Sequence, residues 1–279
     1  DGDRAGPRQY CTAPGSRAGW RMSSELIPIT GYEHITVGGA NILVARAMAE
    51  TTRTILEHDT LYTYASKVPD ALVFQGRAPV YAINFPPLTG RVAVRHVMRG
   101  GFVGRLLHDR FLPPTRVARE LTAAFRLRLG GVPTPEVLAV GTYPAGGFFR
   151  RADVVTRFVE GSADLSAVFG DVRNDAQRRP ILDAVARLLS RLTATGAQHP
   201  DLNLKNVLIT SGDDGYIAHV LDVDRVHFHV PGDPLVARAN IERLMRSLRQ
   251  WRTRLAPRTN ALSDEDMSYL ALTAAAQPA

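Results

Sequence analysis

Three β-rich runs follow one another in the sequence, "DALVFQ", "PVYAINF" and "RVAVRHV", with only the turn-formers "GRAP" and "PPLTG" between them. Runs of this length, joined by connections this short, read as an antiparallel meander. The next segment, "PTRVARELTAAFRLRLGG", places Val117, Leu121, Phe125 and Leu129 on one helical face and closes on a glycine pair. Two further β runs, "EVLAVGTY" and "ADVVTRFV", complete a strand-rich first half.

Beyond "EGSADL" the periodicity changes from strand to helix. In "PILDAVARLLSRLTATG" the apolar positions are Ile181, Leu182, Val185, Leu188, Leu189 and Leu192. The stretch "QHPDLNLKNVLI" comes next, then "GYIAHVLDV" and the long "PLVARANIERLMRSLRQWRTRL". The expected architecture is α+β in two lobes, with a boundary near Gly161: an antiparallel-sheet N-lobe over residues 23–160 and a mainly helical C-lobe over 161–279. Residues 1–22 are rich in Gly, Arg and Pro without periodicity and read as a disordered tail, with Met22 a candidate natural start. From Tyr32 to Asp70 the pattern is mixed and predicts one or two short helices packed on the segment after them.

A chain of 279 residues has enough length for a substantial core and is expected to be complete rather than a fragment. Apolar content of 45% and charged content of 22% argue against wholesale disorder and against a membrane bundle. No apolar run approaches the ~20 residues of a spanning helix, so a cytosolic location is expected. The single cysteine, Cys11, excludes an internal disulfide and a cysteine-based metal site. A net charge of +7 points to an acidic partner. Lys67 and Lys205 are the only lysines among 34 basic residues, so a lysine inside "QHPDLNLKNVLI" asks for an explanation.

That stretch has His-x-Asp with an asparagine five positions after the aspartate: His199, Asp201 and Asn206. In a kinase catalytic loop, such spacing aims a carboxylate at the acceptor hydroxyl and an amide at a metal on the nucleotide phosphates. Asp201 is then the base and Asn206 a metal ligand, while Lys205 offsets charge on the transferring phosphoryl group. His199 is expected to position the loop. Sixteen residues past Asn206, "HVLDVDRV" puts Asp222 at the end of an apolar strand, where kinase folds hold a magnesium-binding carboxylate; Asp224 is a second ligand or an anchor. Upstream, "VAVR" matches the "VAIK" pattern, with Arg95 in place of the phosphate-contacting lysine and Glu120 its expected carboxylate partner. Gly76, in the first hairpin turn, is the glycine available to cover the phosphates.

With these residues assembled, the sequence resembles the lipopolysaccharide kinase family, and within it the 3-deoxy-D-manno-octulosonic acid (Kdo) kinases. The block "AVRHVMRGGFVGRLLHDRF", from Ala93 to Phe111, is similar to an Arg-His-x-x-Arg-Gly-Gly element of that family followed by Asp-Arg and an aromatic. "TRVARE", "GVPTPEVLA", "HPDLNLKNVLI" and "LDVDR" match in order. "DVD" departs from the more familiar "DFD", and "GRAP" stands where the family's first turn often has a second glycine. The resemblance implies a protein-kinase-like fold that uses ATP and Mg2+, with Val159 joining Arg95, Glu120 and Gly76 around the nucleotide and Arg99, Asp109 and Arg110 toward the substrate. It implies transfer of the γ-phosphate to a hydroxyl of the Kdo sugar on a lipid A precursor. The implied setting is the cytoplasmic face of the inner membrane of a Gram-negative bacterium, with peripheral attachment and no nucleic-acid partner.

Two rival readings stand beside this one. A protein or antibiotic kinase of related fold has the same motifs and another acceptor. An inactive kinase-like module that binds anionic lipid or nucleic acid fits the charge and the arginine at position 95, and predicts salt-sensitive binding without turnover. Asp201 and Asn206 also have a bland reading as turn caps. The C-terminal helix is read as core-packed through Ile241, Leu244, Leu248, Trp251 and Leu255, with a basic outer face, in preference to a membrane-surface helix.

Overall fold

The computed structural model describes residues 30–76, 78–98, 117–171, 175–213, 215–255 and 262–276. The proposed tail over residues 1–22, together with Arg99, Asp109 and Arg110, lies outside them.

The predicted meander is present as strands β3 (Leu72–Phe74), β4 (Val80–Asn84) and β5 (Arg91–His96), each antiparallel to the next. Two later strands, β6 (Val137–Pro144) and β7 (Arg150–Arg157), form a hairpin whose second strand pairs with β5. A further hairpin made by β1 (Tyr32–Val37) and β2 (Ala40–Ala45) adds to the free side of β6. The result is one seven-stranded sheet in the order β1-β2-β6-β7-β5-β4-β3.

That first hairpin gives strand structure to the start of the mixed region from Tyr32 to Asp70, for which the sequence pattern names only short helices. Its turn is Gly38-Gly39, both at positive φ (55° and 81°), as a two-residue hairpin turn requires. The expected short helices do come after it, as α1 (Ala49–Leu56) and α2 (Leu61–Lys67). Met48, Ile55, Leu61 and Ala65 from this region pack with Ile42, Val44, Ile83, Phe85, Val92 and Val94 in one core cluster. Side chains alternate across a strand, so Val92 and Val94 face α1 and α2 while Ala93 and Arg95 face the other way. The start of α2 is pinned to the sheet by two strand side chains: the amide of Tyr62 donates to Asp153 (3.1 Å) and that of Leu61 to the Tyr143 hydroxyl (3.1 Å).

Helix α3 (Val117–Leu129) covers the Arg95 side. Its buried stripe is Glu120, Leu121, Ala123, Ala124 and Leu127, whereas Leu129, expected to be buried, is 72% exposed. A row spaced by four residues drifts about 40° per step from a 3.6-residue helix, so three steps carry position 129 off the face. The next loop joins the sheet to the later half: Val220 donates to the Pro133 carbonyl (2.9 Å) and the Thr134 hydroxyl donates to the Val220 carbonyl (2.8 Å).

Beyond β7 come α4 (Leu165–Asp171), α5 (Asp175–Ala194), the hairpin of β10 (Val207–Gly212) with β11 (Gly215–Val220), α6 (Pro234–Leu255) and α7 (Asp264–Ala276). Short strands fill the numbering between them: β8 (Ala163–Asp164) pairs with β10, and β9 (Ala197–Gln198) pairs with β12 (His227–Phe228). All six apolar positions predicted along α5 are buried, and Leu244 and Leu248 are buried on α6. Helix α5 ends at Gly196, whose φ of 67° and close approach to the His229 carbonyl leave no room for a Cβ. Among the described residues, no helix is long and apolar enough to cross a membrane.

Candidate active site

The chain between β9 and β10 is held from three directions. His199, 1% exposed, sits at its centre: Nε2 donates to the Leu221 carbonyl (2.9 Å), and Nδ1 accepts from the Asp201 amide (3.2 Å). Those two bonds require the neutral ring with its proton on Nε2. Burial lowers the His199 pKa, against the opposing pull of the Leu221 carbonyl and of Asp222, Asp201 and Asp224.

The loop carries its own bracing. Asn203 caps a 3-10 turn over Leu204–Asn206 by accepting from the Lys205 amide (2.9 Å), and its Nδ2 donates to the Asp201 carbonyl (2.9 Å). Asn206, buried, donates through Nδ2 to the same carbonyl (2.9 Å), and its own carbonyl accepts from Leu221 (2.9 Å). The Asn206 amide is thus oriented by the backbone of Asp201, which leaves Oδ1 as its ligand-capable atom. Lys205 is exposed on this turn.

Strand β11 delivers Asp222 two residues past its end. Asp222 is the one non-glycine at positive φ among the described residues (φ 53°, ψ 49°), an αL conformation that aspartate tolerates better than most residues. It opens a second 3-10 turn, Val223–Arg225, which includes Asp224 and packs against α3. Across from it, the Arg95 guanidinium of β5 donates to the Glu120 carboxylate of α3 in a largely buried ion pair.

Charges in this corner act on one another. Burial works against the Arg95 guanidinium, yet Glu120, Asp222 and Asp224 together hold its pKa above the ordinary value. Burial, with Asp222 and Asp224 adding, raises the Glu120 pKa although Arg95 pulls it down. Among the described residues, the carboxylates of Glu120, Asp222 and Asp224 all act on the Arg95 guanidinium, and they form a donor set made of oxygen. Among the described residues, no group of three or more His, Cys, Asp or Glu is arranged to hold a metal ion by itself.

The structure therefore gathers Arg95, Glu120, Asp222 and Asp224, and brings Asp201 and Asn206 together on one loop. Gly76 lies exposed in the β3–β4 turn. Val159 lies in the connector after β7, where its carbonyl accepts from the Ser162 hydroxyl (2.7 Å). Sequence reading missed Arg243 and Asn240 of α6. The Arg243 guanidinium donates to Asp201 Oδ1 (2.9 Å) and to the Pro200 carbonyl (3.1 Å). Asn240, buried, accepts from the His199 amide (2.9 Å) and donates to the Ala197 carbonyl (2.9 Å). A buried asparagine inside an otherwise apolar helical stripe was the available signal for Asn240; nothing in the helix periodicity sets Arg243 apart from its arginine neighbours.

The fold is shared with a solved structure of WaaP in complex with acyl carrier protein, at a TM-score of 0.52 and 15% identity over 85% of this chain and 89% of that one. This places the chain among proteins of that mixed, antiparallel-sheet architecture. Residues 84–272 match the lipopolysaccharide kinase (Kdo/WaaP) family, and the chain belongs to it. Three relatives, each a 3-deoxy-D-manno-octulosonic acid kinase, illustrate the similarity. That of Stenotrophomonas maltophilia is 30% identical over 177 residues, 62% of this chain and 67% of the relative. That of Vibrio parahaemolyticus is 28% identical over 196 residues, 64% and 77% respectively. That of Actinobacillus succinogenes is 32% identical over 160 residues, 54% and 64% respectively. The first hairpin, α1, α2 and β3 all precede the matched stretch.

Proposed function

We propose that the protein is an ATP-dependent kinase that phosphorylates a hydroxyl of the Kdo sugar on a lipid A precursor, in lipopolysaccharide inner-core synthesis. The observation that carries this reading is the pairing of two sites: a braced loop that presents Asp201, and a corner where Arg95, Glu120, Asp222 and Asp224 share one charge balance. Family membership and the relatives' names support the acceptor. In this reading residues 23–160 form the nucleotide-binding half and 161–279 the catalytic half.

In the transfer step the acceptor oxygen attacks the γ-phosphorus. The new O–P bond forms as the bond to the β,γ-bridging oxygen breaks, ADP leaves, and the hydroxyl proton passes to Asp201. Glu120 holds the Arg95 guanidinium against the nucleotide phosphates, and Lys205 offsets charge on the transferring group. Gly76 and Val159 line the nucleotide side. A magnesium ion fits the residues present: Asn206 Oδ1 with the Asp222 and Asp224 carboxylates are the hard oxygen donors that such a cation takes. When bound, Mg2+ supplies charge neutralisation of the phosphates. Because the acceptor is lipid-anchored, peripheral association with the cytoplasmic face of the inner membrane belongs to the same reading, with Arg246 and Arg249 exposed on α6 as contacts for anionic lipid.

The test is transfer of labelled γ-phosphate from Mg-ATP to a Kdo-bearing lipid A precursor. Wild type should label the glycolipid and Asp201→Asn should not, while nucleotide affinity stays within about threefold. Unlabelled glycolipid with wild type sinks the acceptor; equal turnover by Asp201→Asn sinks the base.

A further inference from the structure

Helix α6 presents three polar side chains to the catalytic loop at a spacing of three and four residues, Asn240, Arg243 and Ser247. Asn240 ties down the backbone on both sides of Gln198 from a fully buried position, and the Ser247 hydroxyl accepts from the Leu204 amide (3.4 Å). Arg243 differs from both. Its side chain is 27% exposed and that of Asp201 is 45% exposed. An ion pair that open contributes little to stability. It is placed instead where the acceptor must arrive.

One guanidinium edge is already in use, with Nε on the Pro200 carbonyl and Nη2 on Asp201 Oδ1. That leaves Asp201 Oδ2 for the hydroxyl proton and Arg243 Nη1 without a partner among the described residues. The planar fork of arginine can serve two carboxylates at once. An octulosonic acid carries its own carboxylate, and two carboxylates sharing a site repel unless a cation stands between them. Arg95 is committed to Glu120 and lies under the field of Asp222 and Asp224.

We propose that Arg243 is the residue that receives the acceptor's carboxylate, so that one guanidinium holds both the acid group of the sugar and the base that deprotonates its hydroxyl. This rests on the reading of the acceptor as a Kdo sugar. Arg243 thereby selects acidic sugars over neutral ones and fixes the acceptor hydroxyl relative to Asp201.

The experiment compares kcat/KM for wild type, Arg243→Gln and Arg243→Lys, each with the Kdo-bearing glycolipid and with the same glycolipid converted to its neutral carboxamide. Wild type should lose about 10- to 100-fold on conversion to the amide, mostly in KM, the size of one charge-assisted hydrogen bond. Arg243→Gln should fall by a similar factor with the free acid and then lose less than about threefold more with the amide, because the interaction is already gone. Arg243→Lys should keep part of the preference for the acid. Amide and acid used equally by an active wild type overturns the proposal, as does the same acid-to-amide penalty in wild type and Arg243→Gln. Wild type inert toward both acceptors refutes the functional reading itself. Should Arg243→Gln not fold, Arg243→Lys decides: an undiminished preference for the acid overturns the proposal and a reduced one supports it.

Discussion

Replacing Arg95 by methionine removes the cation from a corner that also holds Glu120, Asp222 and Asp224. Glu120 is 5% exposed, so its carboxylate has little water to turn to. At contact distance and an effective dielectric near 20, the attraction lost is on the order of 4 kcal/mol. Partial exposure of Arg95 lets solvent recover some of it, which leaves a net loss of about 3 kcal/mol, or roughly 6–12 °C in Tm for a chain of this size. The sign with pH comes from the direction of the Glu120 shift. Its folded pKa lies above the ordinary 4.5, so the folded state keeps a proton that the unfolded chain releases, and stability is lost as pH rises through the folded value. Without Arg95 that carboxyl is pushed further up. The gap between wild type and Arg95→Met should therefore be small near about pH 5 and widen toward about pH 8. Urea unfolding across that range measures it. The double variant Arg95→Met with Glu120→Met should recover to within about 1 kcal/mol of wild type at pH 8, yet transfer no phosphate. A gap independent of pH, or a double variant no more stable than Arg95→Met, would falsify the account of Glu120 as a buried charge held by Arg95.

Asp222→Gly should leave the fold intact and raise its stability by roughly 1 kcal/mol, since glycine adopts the αL conformation freely and one of three clustered carboxylates is gone, while phosphoryl transfer disappears; thermal melting beside the labelled-phosphate assay checks both, and a destabilised variant contradicts the strain argument. For His199 the sign is opposite to that of Glu120. Its folded pKa lies below 6.5, so the unfolded chain takes up a proton that the folded chain resists, and stability should fall as pH drops from 6.5 through the folded value. Urea midpoints at about pH 7.5 and 5.5 should show a smaller difference for His199→Gln than for wild type, from a lower starting stability.

The parts legible from sequence are those fixed by local pattern. The meander, α3, the apolar row of α5 and the long helix α6 each announce themselves by periodicity, and the loop from His199 to Asn206 by the spacing of its polar side chains. The first hairpin carries a usable signal in "TVGGAN", but "RAMAETTRTIL" beside it speaks for helix and masks the strands. Leu129 escapes the buried face because a strict four-residue row is not a helix face. Arg243 lies beyond sequence reasoning for a different reason. Whether an arginine on a long basic helix meets solvent or Asp201 depends on where that helix crosses the loop, which is a property of packing between distant segments.

The layering of the sheet has a consequence for how durable its parts are. Strands β5, β6 and β7 have neighbours on both sides, with the α1–α2 core on one face, so their amides should exchange with solvent only when the whole domain opens. Strand β3 is three residues long, exposed along its length and, among the described residues, paired on one side only, so it should open in local excursions. Arg95 is thus anchored on an interior strand expected to exchange slowly, while Gly76 follows an edge strand expected to open locally.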